Sequence, residues 1–60
     1  MPTEAEIAKE FLATLSPEPV EWLRVCHDYI TWRKTKGYGT YGLESHHLRV
    51  GLIESGRLSS

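Results

Sequence analysis

The sequence predicts an all-α domain of three helices, and three observations carry that prediction. Thr3 with Glu6 three residues on makes a capping box ahead of an apolar run at helical spacing. Ser16-Pro17-Glu18-Pro19 punctuates the chain before a long segment whose apolar residues gather on one side of a helix. Gly37-Tyr38-Gly39-Thr40-Tyr41-Gly42 then separates that segment from a third, leucine-bearing one. At 60 residues the chain, 1–60, is one small domain.

Helix 1 is predicted at about 4–15, with Ile7, Phe11 and Leu15 on one face beside Ala8 and Leu12. Helix 2 is predicted at about 17–35, with Ser16 as N-cap and Pro17 at the first helical position. At 100° per residue Val25, Trp32, Trp22, Tyr29, Cys26, Ile30 and Leu23 sweep roughly half its circumference. Such an arc is wider than one helix contact needs. The segment 36–43 reads as a Gly/Tyr-rich loop, and it lacks the dinucleotide and phosphate-loop patterns that glycines serve elsewhere.

Helix 3 is predicted at about 44–55. That reading places Leu43, His46, Val50 and Ile53 on one side and Leu48 and Leu52 nearly opposite. The alternative is an α+β fold, with two helices and a C-terminal β-hairpin built on the alternation of Leu48 to Leu52. The helix is preferred because an isolated hairpin is marginal in water. The predicted core holds Phe11, Leu12, Leu15, Trp22, Leu23, Cys26, Tyr29, Ile30 and one of Val50 or Ile53.

Composition removes several function classes. A single cysteine excludes an internal disulfide and fits a reducing compartment. No apolar run approaches the roughly 18 residues of a membrane span, and the start MPTEAEIAKE is acidic, unlike a signal peptide. A cytoplasmic protein is the expectation, with no membrane contact. A metal site would have to recruit Cys26, His27, His46 and His47, but neighbours on a helix point about 100° apart and no standard ligand spacing is present. Catalysis by Cys26 with a histidine would need an activated thiolate in an enclosed pocket, which a chain this short can hardly build. No enzyme, no cofactor and no metal are therefore expected.

Binding remains. Net charge is −1, yet residues 1–23 carry five glutamates against Lys9, while residues 24–60 carry six Lys and Arg against Asp28, Glu44 and Glu54. The leading reading is a small regulator, inhibitor or adaptor that docks on a larger protein. Interface-favoured residues are dense for this length, and Trp22, Arg24, Trp32, Arg33, Tyr38, Tyr41, Leu48 and Leu52 are the expected contacts. The alternative is a DNA- or RNA-binding regulator of helix-turn-helix type, using Arg33, Lys34, Lys36, His46, His47 and Arg49. The two-sided third helix further predicts a homodimer, or weak self-association, through the Leu48/Leu52 stripe and the edge of Trp32.

Overall fold

The computed structural model describes residues 2–40 and 45–59. Among these residues the elements are α1 (Glu4–Leu12), α2 (Trp22–Lys36) and α3 (His46–Glu54), with no strand. The all-α reading therefore holds, and the hairpin alternative falls.

The start of α1 is the capping box that the sequence announces. Glu6 N–H donates to the Thr3 hydroxyl at 3.2 Å, and Thr3 N–H donates to Glu6 Oε1 at 3.0 Å. These bonds, the backbone one first, hold the Glu6 carboxyl below its ordinary pKa. A lowered folded-state value means that the capping contribution is complete above the ordinary carboxylate range and lost as pH falls through the lowered one. Glu6→Gln, which removes the titrating group, should therefore abolish an acid-side loss of helicity that the unmodified chain shows by circular dichroism; an unchanged acid limb would refute the link.

Helix 1 ends three residues sooner than expected. The Thr14 hydroxyl donates to Phe11 O at 2.7 Å, so the last turn closes on a side chain. From the far end of the chain, Arg57 Nη1 donates to Leu12 O at 3.1 Å and to Ser16 O at 3.3 Å. A guanidinium at these free carbonyls suits the negative end of the helix dipole.

The start of α2 is a correction. Ser16 and Pro17 do not open it; Glu21 does, its two carboxylate oxygens accepting from Leu23 N–H and Arg24 N–H at 3.3 and 2.9 Å. Pro19 biases Glu18 away from helical backbone, so a helix beginning at 17 is interrupted at once. The N–H of Val20 instead donates to Arg57 O at 2.8 Å, tying the connection to the C-terminal tail. At the other end Gly37 takes φ 83°, a left-handed value that costs other residues strain. Its N–H and that of Tyr38 close the helix on Lys34 O and Arg33 O.

The buried apolar residues are Ile7, Ala8 and Phe11 of α1, Val25 and Tyr29 of α2, and Leu48 and Leu52 of α3. Phe11 and Tyr29 stand where the sequence puts them. Leu12, Leu15 and Trp22, partly buried, pack against this core as expected, whereas Cys26, Ile30 and Ile53 are only half-buried, Leu23 is 74% exposed and Val50 is 37% exposed. On α2 the buried stripe is Val25, Tyr29 and Arg33, spaced by four and narrower than the apolar arc.

Helix 3 is turned over relative to expectation. Leu48 and Leu52 are fully buried, and Val50 faces solvent. Gly51 lies on that inward face, where an added Cβ would meet the end of the Leu12 side chain and require it to shift. With Leu48 and Leu52 on either side, it belongs to the face that α3 packs on α1. The Leu48/Leu52 stripe is thus the monomer's own core and cannot serve as a dimer surface.

Candidate docking surface

An aromatic cluster joins α1 to α2. Phe11 lies 5.0 Å from Tyr29 and 5.3 Å from Trp32 between ring centroids, and Trp32 stacks on Tyr29 with 16° between planes. Tyr38 tilts against Trp32 and its hydroxyl donates to Glu10 at 2.8 Å. Lys36 sits 6.0 Å above the Trp32 ring and 3.8 Å from the Glu10 carboxylate. Trp32 and Tyr38, both expected contacts, are therefore half-buried and largely engaged within the domain.

Arg33 departs furthest from expectation. It appears in both binding sets, yet only 2% of it is exposed. Nη1 and Nη2 donate to the two carboxylate oxygens of Glu4 at 2.9 and 3.1 Å, Nη1 also donates to the Tyr29 hydroxyl at 3.1 Å, and Nε donates to Gly39 O at 2.9 Å. The guanidinium thus links the first turn of α1, the centre of α2 and the residues after α2. Its planar fork suits a bidentate carboxylate, and complete pairing is what allows a charge to be buried. Arg33 is a structural clamp, its Nε, Nη1 and Nη2 all engaged within the domain.

The remaining expected contacts fall into separate groups. Trp22 is half-buried near the start of α2, with the Arg49 guanidinium of α3 5.6 Å above its ring. Arg24 is exposed and pairs with Asp28 at 3.4 Å. Leu48 and Leu52 are in the core, and Tyr41 lies outside the described residues. Of the basic set proposed for nucleic acid, Lys34, His46, His47 and Arg49 are exposed, Lys36 is exposed but 3.8 Å from the Glu10 carboxylate, and Arg33 is buried. His46 and His47 meet edge to face at 5.4 Å.

Leu23 and Val50 carry the surface that sequence reasoning missed. Leu23 follows Trp22 on α2, and Val50 follows Arg49 on α3, each about 100° round its helix from the residue in the Trp22–Arg49 contact. At 100° per residue Leu23 and Ile30 share the side of α2 next to Cys26, and Arg49 and Ile53 share a side of α3. The seam where Trp22 of α2 meets Arg49 of α3 thus has an exposed aliphatic residue next in sequence on each helix. Their exposure was hidden because a periodicity count assigns every apolar residue to the core.

Cys26 borders this seam. Partial burial first, and the Glu21 charge second, push its thiol pKa up, against an opposing hydrogen bond with Ser45. An activated nucleophile needs the opposite shift. Among the described residues no three His, Cys, Asp or Glu side chains are placed to hold a metal ion together, and no helix is long and apolar enough to cross a membrane. Compared with models of known families, with curated proteins and with solved structures, the chain matches none.

Proposed function

We propose that this chain is a small non-enzymatic binding domain that docks on a larger protein through the α2–α3 seam. The observation that carries this reading is the 74% exposure of Leu23 in a domain whose core is already closed by Leu48 and Leu52. An exposed leucine alone is ordinary. With the Trp22–Arg49 contact and the exposed Val50, it adds an aliphatic residue to the aromatic and arginine types found at interface centres.

A tagged chain purified from its native host tests the reading. Leu23→Glu should leave the helical spectrum intact and lose the co-purifying protein, while Lys9→Glu on exposed α1 surface should retain it. Retention of the same partner by both variants would overturn the seam assignment. The nucleic-acid alternative would now have to rest on Lys34, His46, His47 and Arg49 without Arg33. It is favoured instead if mixed-sequence DNA or RNA is retarded at low salt and released steeply as salt rises.

A further inference from the structure

The geometry points to a second docking site, for a protein segment that presents an aliphatic side chain flanked by lysine or arginine. The site is an open hollow of about 520 Å³ between the α1–α2 connection and the first turns of α2. Leu15, Pro19, Val20 and Val25 supply its apolar lining, and Glu18, Glu21, Arg24 and Asp28 its charged groups.

Charge complementarity selects the occupant. Three carboxylates face one guanidinium, leaving two negative charges in excess around an aliphatic surface. Arg24 is already paired with Asp28 at 3.4 Å, so the only cation of the rim is compensated from within it. Glu21 is held in place by the two N–H groups it caps. The Glu18 carboxylate has no hydrogen-bond or ion-pair partner among the described residues. An aliphatic side chain can cover Leu15 and Val20 while cationic neighbours meet Glu18 and Glu21. An acidic or purely apolar segment would strand those carboxylates.

The frame is set before any partner arrives. Pro17 and Pro19 restrict the connection, Val20 N–H is tied to Arg57 O, and Arg57 grips Leu12 O and Ser16 O. Preorganisation of this kind lowers the ordering cost of binding. The site is separate from the α2–α3 seam: it uses Leu15, Glu18 and Val20, and it requires neither Leu23 nor Val50.

The test is a titration of the ¹⁵N-labelled full chain with two synthetic hexapeptides, Lys-Lys-Leu-Leu-Lys-Lys and Glu-Glu-Leu-Leu-Glu-Glu, followed by amide shifts. The lysine peptide should produce saturable shifts centred on Leu15, Val20 and Val25. The glutamate peptide should not. Glu18→Lys, in the exposed connection, should weaken the lysine peptide roughly tenfold at low salt without changing the spectrum elsewhere. Equal shifts from both peptides, shifts centred on Leu23 and Val50, or no shift at millimolar peptide would overturn the assignment. Leu23→Glu should leave this binding unaltered, so failure here and failure of the seam are told apart.

Discussion

Leu52→Glu should leave the chain unfolded, with no helical circular-dichroism signal and no cooperative urea transition. Leu52 is fully buried against α1 and α2, and a carboxylate there has no partner and no route to water. Stability near 0.1 kcal/mol per residue gives about 6 kcal/mol in total for a 60-residue chain. Removing a buried leucine side chain as Leu→Ala already costs about 2–5 kcal/mol. Leu52→Ala and Leu48→Ala should therefore each lower the urea midpoint severely, and the glutamate should exceed the whole reserve. Val50→Ala, at a 37% exposed position one turn-step away, should be almost silent. A folded Leu52→Glu monomer would return the stripe to the surface and refute the orientation of α3.

Breaking the Arg33 clamp should be the second large effect. Arg33→Ala removes four donors at once and leaves Tyr29, Glu4 and Gly39 O without them. The lost bonds and the space left by the buried side chain should cost about 2–4 kcal/mol, the Glu4 share being small because that carboxylate is 43% exposed. Glu4→Gln removes only part of the clamp, and the Glu4 side chain is 43% exposed, so water replaces some of the loss and about 1–2 kcal/mol is expected. Arg33→Lys should not rescue, because an ammonium cannot reach Glu4, Tyr29 and Gly39 with one planar fork. The pair Arg33→Met with Glu4→Gln should cost less than the sum of its single changes, since each removes what the other leaves unpaired. Urea midpoints of the four chains check this. Strict additivity would show that the two side chains do not act together.

Elements governed by local chemistry were legible in the chain itself. The capping box at Thr3 and Glu6, the closure of α2 at Gly37 and the helical period of the third segment each depend on residues within one or two turns. Three helices follow from those signals before any packing is known. Local signals erred at the end of α1, which stops at Leu12, and at the start of α2, where two of them competed. Ser16-Pro17 resembles a helix start, but Pro19 spoils it two residues on, and Glu21, a residue outside the preferred capping types, takes the role.

The faces of the helices were decided by tertiary structure. A periodicity count values Val50 and Ile53 as core, yet the face of α3 packed on α1 is the one that carries Leu48, Gly51 and Leu52. The same count treats Arg33 as surface, because a guanidinium is buried only when distant groups supply its partners. Those partners are Glu4, 29 residues away, and the carbonyl of Gly39. No local pattern records such a meeting. The sequence by itself determined the helices, while long-range pairing determined which leucines remained exposed: Leu23 stays outside because the inward positions of α2 are filled by Val25, Tyr29 and a satisfied arginine.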